Sequence, residues 1–76
     1  MELDKIQQIV AGVLNVDPSE VAPGSTLRFD LGADSLDSYQ IFTRIEENFH
    51  IRFTQEQMEE CETIGDVIQA IRQAMK

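Results

Sequence analysis

The residues able to do chemistry in this 76-residue chain are few. His50 is its only histidine and Cys61 its only cysteine. With one of each, neither a Ser–His–Asp nor a Cys–His arrangement finds support, and a four-ligand Cys/His metal site is excluded by count. His50 follows Phe49 at the end of a helical pattern and reads as a surface residue. Cys61 lies between Glu60 and Glu62, whose charges disfavour a thiolate, so it reads as a small apolar residue ahead of the last helix. Asp30, Asp34 and Asp37 lack the spacing and glycine of a calcium-binding loop. That leaves Ser35, in the run Asp30-Leu31-Gly32-Ala33-Asp34-Ser35-Leu36-Asp37-Ser38. Gly32 lets the chain turn tightly, and the serine opens a helix with its hydroxyl near solvent. Two roles suit it. It caps the helix, the commoner duty of serine at a helix start, or it carries a phosphodiester, which a helix N-terminus stabilises although the neighbouring acids oppose it.

The elements that must position Ser35 read as helices. Leu3, Ile6, Ile9, Val10, Val13 and Leu14 recur at helical spacing, and the pattern stops near Asn15 and Val16. Asp17-Pro18-Ser19-Glu20 resembles a cap with proline in the first turn, so a single short turn is expected there. Pro23-Gly24-Ser25 then breaks the chain, and residues 16–34 form a long connection anchored by Leu27 and Leu31. A second helix is expected from Ser35 to Asn48. Its core sector holds Ile41, Phe42, Ile45 and Phe49, and the opposite sector holds Leu36, Tyr39, Gln40, Thr43, Glu46 and Glu47. Leu36 and Tyr39 are large apolar side chains among carboxylates, which suits a transient contact patch unless Leu36 folds back on the loop. Ile51 and Phe53 alternate too briefly for a sheet. A short helix follows near Gln55 to Glu59 with Met58 inward. Thr63-Ile64-Gly65-Asp66 resembles a capping box, and the last helix carries Ile64, Val67, Ile68 and Ile71, with Arg72 and Lys76 near its C-terminal end.

Composition narrows the function. There are 14 acids and 6 bases, a net charge of −8, and 42% hydrophobic residues. That charge disfavours nucleic acid and anionic membranes, and that apolar content suffices for a compact core. Residues 30–66 hold ten of the acids and two of the bases, so the whole net charge lies there, while elsewhere four acids balance four bases. Such a stretch is a solvated surface or an anionic docking face for basic partners. No apolar run is long enough to span a membrane and no signal peptide is visible, so no membrane insertion is expected. A lone cysteine fits a reducing compartment, and a cytoplasmic location is expected.

The run Gly32-Ala33-Asp34-Ser35-Leu36-Asp37-Ser38 resembles the modification motif of the acyl carrier protein family. The likeness extends along the chain: an amphipathic first helix, a long loop with Pro and Gly, the Asp-Leu-Gly approach, Glu46-Glu47 followed by Phe49, and Thr63-Ile64-Gly65-Asp66 before the last helix. The resemblance implies an all-α, acyl-carrier-like four-helix bundle of three principal helices and one short one, with a long first loop. It implies one free-standing, non-catalytic and monomeric carrier domain over residues 1–76. Ser35 would bear 4′-phosphopantetheine, taken from coenzyme A through a phosphopantetheinyl transferase, with cargo riding on the arm as a thioester. Asp34, Leu36, Asp37, Tyr39, Gln40, Thr43, Glu46 and Glu47 would meet partners: acyl-activating, condensing or acyl-transfer enzymes with basic docking patches. Ile41, Phe42, Ile45, Phe53, Cys61, Ile64 and Ile68 would line an acyl groove.

The chain departs from the housekeeping fatty-acid carriers. Tyr39 replaces a small aliphatic residue, Gln40 a glutamate, Arg44 a neutral residue, and Phe29 an acid. Phe42 and Phe53 add bulk to the groove. These changes imply a specialised carrier in a fatty-acid, lipid or polyketide-type pathway. Two other readings are an aminoacyl or peptidyl carrier, and an unmodified acidic interaction module in which Ser35 is only a helix cap.

Overall fold

The computed structural model describes residues 2–75, Glu2 by its backbone alone; Lys76, expected at the end of the last helix, lies outside them. Four helices follow in order: α1 Glu2–Leu14, α2 Ser35–Phe49, α3 Gln55–Glu60 and α4 Ile64–Ala74. A single 3-10 turn, Pro18–Glu20, interrupts the long first loop, with Asp17 as its cap. The architecture is all-helical, as the hydropathy pattern implied. Among the described residues the only β-type pairing is one isolated bridge between Thr26 and Thr63. None of the helices is long and apolar enough to cross a membrane.

The apolar stripes converge on one core. Ile6 and Val10 of α1, Ile41 and Ile45 of α2, and Ile64, Val67 and Ile71 of α4 have no exposed surface. No polar or charged side chain is buried among the described residues, so the core needs no internal hydrogen-bond partners. Leu27 is buried and Leu31 partly so, as expected, but the long loop also buries Val21 and Ala33. Gln7 holds Val21 in place by donating from Nε2 to its carbonyl at 2.8 Å.

The loop is pinned to the start of α4 and does not hang free. The Leu27 N–H donates to the Glu62 carbonyl at 2.9 Å, Ile64 N–H to Ser25 at 3.0 Å, and Gly65 N–H to Pro23 at 2.8 Å. A Cβ on Gly65 would stand 3.2 Å from the Pro23 carbonyl oxygen. That close approach is the reason for glycine in the Thr63-Ile64-Gly65-Asp66 run. Thr63 and Asp66 form the expected capping box. The Asp66 carboxyl is held below the usual carboxylate range, first by the Thr63 amide and then by that of Glu62. Ile68 is half-buried at the core's edge, and Ala70 takes the inner position.

Candidate functional site

The start of α2 corrects the capping role that the sequence suggested for Ser35. Asp34 is the N-cap: its Oδ1 accepts the Asp37 N–H at 2.8 Å, and Asp37 reaches back toward the Asp34 N–H at 3.4 Å. A carboxylate one residue earlier makes the better cap here because it closes a reciprocal box with Asp37. Ser35 is thus the first helical residue, exposed and without a duty at the cap. The first-turn amides of Ser35 and Leu36 remain for an outside acceptor, since the helix cannot use them. With the dipole of a 15-residue helix behind them, they suit a phosphodiester on the serine.

The approach to Ser35 is closed by hydrogen bonds of the loop itself. Gly32 sits at φ 72°, a left-handed conformation that favours glycine. Asp30 closes the loop by accepting from the Thr26 N–H at 2.8 Å and the Thr26 hydroxyl at 3.1 Å. The Ala33 N–H donates to the Leu27 carbonyl at 2.7 Å. These bonds bring Arg28 and Phe29 beside Ser35.

A groove of about 590 Å³ opens there, between the first loop, the N-terminal half of α2, and α3. Ser35, Ser38, Tyr39 and Phe42 line one side, Thr26 to Phe29 and Ala33 another, and Gln55, Met58, Glu59, Cys61 and Glu62 the third. Of the residues expected in an acyl groove, Phe42 and Cys61 line it. Ile41, Ile45 and Ile64 lie in the closed core with no exposed surface, Phe53 is buried behind Phe42, and Ile68 lies at the core's edge. A helical wheel cannot separate a groove wall from the core beneath it, because both are apolar on the same face. Phe42 and Phe53 meet edge to face, with centroids 5.3 Å apart and planes at 76°. Cys61 is half-buried. Its thiol is pushed up to about 11 by burial first, then by Asp66 and Glu60. Burial, not flanking charge, is thus the main cause, and the acids that matter are Asp66 and Glu60, not Glu62.

The expected docking residues divide into two kinds. Leu36 and Tyr39 are each 64% exposed, so Leu36 does not fold back onto the loop. Gln40 and Glu47 are exposed beside them, and Thr43 is half-buried with its hydroxyl donating to the Tyr39 carbonyl at 2.8 Å. Asp34, Asp37 and Glu46 hold the fold as well. Glu46 accepts the Phe53 N–H at 2.8 Å, which ties the connector after α2 back onto the helix. Arg44 turns its guanidinium toward α1, where a Cβ on Gly12 would stand 3.5 Å from Nη1. Its charge therefore lies toward the α1–α2 seam. His50 is exposed and ends α2 in a left-handed conformation, φ 57°. Among the described residues, no group of three or more His, Cys, Asp or Glu side chains is placed to hold a metal ion.

Several groove residues were not singled out from sequence. Phe29, 85% exposed, stood out only as a departure from a family pattern. Arg28, Gln55 and Glu59 carried no periodic signal. The α3 boundary did carry one: Thr54 and Gln57 form a further capping box, whose Thr-x-x-Gln spacing is visible in the chain.

Residues 4–71 match the family model described as "Phosphopantetheine attachment site". An acyl carrier protein of Treponema denticola is 40% identical over 72 residues, covering 95% of this chain and 92% of that one. That of Thermosynechococcus vestitus is 41% identical over 69 residues, covering 91% and 85%. That of Wolinella succinogenes is 43% identical over 68 residues, covering 90% of each. A solved structure from Mycobacterium tuberculosis, described as an acyl carrier protein, superposes with a TM-score of 0.89 at 26% identity, covering 95% of this chain and 96% of that one.

Proposed function

The chain belongs to the acyl carrier protein family, whose cofactor is 4′-phosphopantetheine, and from that premise we propose that Ser35 bears the arm. One observation carries this reading. Asp34 relieves Ser35 of capping and leaves its side chain exposed at the helix N-terminus, at the rim of the groove. When bound, the arm supplies a terminal thiol on which an acyl group rides as a thioester. The Ser35 hydroxyl is the nucleophile for attachment: its oxygen bonds the pantetheine-side phosphorus of coenzyme A, the pyrophosphate bond breaks to release adenosine 3′,5′-bisphosphate, the hydroxyl proton is given up, and the Ser35 and Leu36 amides face the resulting phosphodiester. Leu36 and Tyr39 offer apolar contact to partner enzymes, and Asp37, Glu46 and Glu47 offer charge to basic docking patches. The protein acts as a monomeric cytoplasmic carrier with no catalysis of its own. Its first partner is a phosphopantetheinyl transferase, and acyl-activating, condensing or acyl-transfer enzymes follow.

Tyr39, Gln40 and Phe29 support a specialised role. They make the face around Ser35 bulkier and less anionic than that of the housekeeping carriers. The test is an intact mass after incubation with coenzyme A and a broad-specificity transferase. A gain of one phosphopantetheine, absent in Ser35→Ala, is expected. An equal gain in Ser35→Ala, or no gain in the folded protein with any transferase tried, would refute the assignment.

A further inference from the structure

The groove beside Ser35 has a closed floor. Phe42 lines it while being only 3% exposed, so almost all of the residue is packed beneath the groove surface. Phe53 backs that ring edge to face at 5.3 Å and is itself 8% exposed. Behind the pair stands a core in which Ile41, Ile45, Ile64 and Val67 have no exposed surface. The Phe53 backbone is tied to α2 by its N–H donating to Glu46 at 2.8 Å, and its ring is held by the packing that buries it. A straight alkyl chain entering from Ser35 would have to move two interlocked rings against a packed core, and overfilling such a core forces side chains off their rotamers. The outward direction offers little shelter either. The groove's outer walls mix Phe29, Tyr39 and Met58 with Arg28, Gln55 and Glu59, so methylenes lying there trade only part of their hydration for apolar contact.

We propose that Phe42, buttressed by Phe53, is a stop that limits the sheltered part of the cargo to a few carbons beyond the thioester. The groove then favours short, compact acyl groups, and the distal part of a long saturated chain stays in solvent. This rests on attachment at Ser35. The occupant is the acyl end of the tethered arm, because Ser35 lines the same groove.

The test loads the protein with butanoyl, octanoyl or dodecanoyl arms from the matching acyl-coenzyme A, confirms each load by intact mass, and follows thermal unfolding. Butanoyl loading raises Tm above the thiol form by about 5 °C, and the two longer chains add no more than about 1 °C to that. In Phe42→Leu the octanoyl form gains further, and methyl resonances of Ile45 and Ile64 shift on loading, which they do not in the parent. Phe53→Leu, which loosens the buttress without changing the groove lining, gives the same trend if Phe42→Leu does not fold. A Tm that climbs steadily from butanoyl to dodecanoyl in the parent, with shifts at Ile64, overturns the stop. Failure to load Ser35 shows as an unchanged mass before any melt, and it overturns the attachment reading instead.

Discussion

Exchanging the roles of Asp34 and Ser35 gives the sharpest check on the site. If Asp34 is the cap, Asp34→Ala loses the 2.8 Å bond from the Asp37 amide. Losing an N-cap costs about 1 kcal/mol, within a range of roughly 0.5–2. The reciprocal bond at 3.4 Å is long, so it adds little, and the middle of that range is expected. For a domain of this size 1 kcal/mol is about 4–8 °C in Tm. Asp34→Asn keeps the capping oxygen and stays within about 0.5 kcal/mol of the parent, which separates capping from the loss of one charge. Ser35→Ala, at the first helical position, should cost nothing, and alanine's helix propensity even favours it by up to about 0.5 kcal/mol. Urea unfolding of the four proteins at physiological salt, with intact mass after transferase treatment, reads both properties. The expected pattern is crossed: Asp34→Ala is destabilised yet still modified, and Ser35→Ala is stable yet never modified. A Ser35→Ala protein that loses 1 kcal/mol or more while Asp34→Ala loses none would refute the capping assignment. It would also restore the reading in which Ser35 is only structural.

Two further outcomes follow from the same geometry. Cys61 alkylates slowly: with its thiol pushed from 9.0 to about 11, the thiolate fraction near pH 8 is about 100-fold below that of a free cysteine. The stability held in that proton is present below pH 9 and lost as the pH rises toward 11, because the unfolded thiol ionises first. An iodoacetamide rate profile with a midpoint near that of free cysteine would contradict the burial. Glu46→Ala loses a hydrogen bond from an amide to a charged acceptor and unfolds about 1.5–3 kcal/mol more easily, whereas Glu47→Ala stays within about 0.5 kcal/mol. Equal urea midpoints for the two variants would show that the Phe53 amide does not depend on Glu46.

The helices were legible because their burial is periodic. The spacing of Ile6 and Val10, of Ile41 and Ile45, and of Ile64, Val67 and Ile71 matches the residues that have no exposed surface. The Thr63 and Asp66 box was legible because both partners are local. The path of the long loop was not. Its course depends on backbone bonds from Leu27 to Glu62 and from Gly65 to Pro23, pairings across some forty residues that no local pattern encodes. Those same bonds carry Arg28 and Phe29 to the edge of Ser35. The groove wall that the first loop supplies was thus hidden for the same reason the loop was. Val21 was missed because one buried residue between a turn and a Pro-Gly break has no period to reveal it.

The charge pattern was legible but ambiguous, and the structure shows why. Asp30, Asp34, Asp37, Glu46 and Asp66 all belong to the acidic stretch, and each accepts a hydrogen bond from a backbone amide. A carboxylate that closes a helix start and one that waits for a basic partner are the same residue type at the same spacing. In sequence the two cannot be told apart. In the folded chain they need not be alternatives, because an amide uses one side of a carboxylate and an exposed one keeps its charge toward solvent. On the proposed docking face, substituting Asp37 or Glu46 is therefore expected to perturb docking and folding together. Glu47 is exposed on the same face as Leu36 and Tyr39, so Glu47→Ala is the substitution expected to test the proposed docking without disturbing the fold.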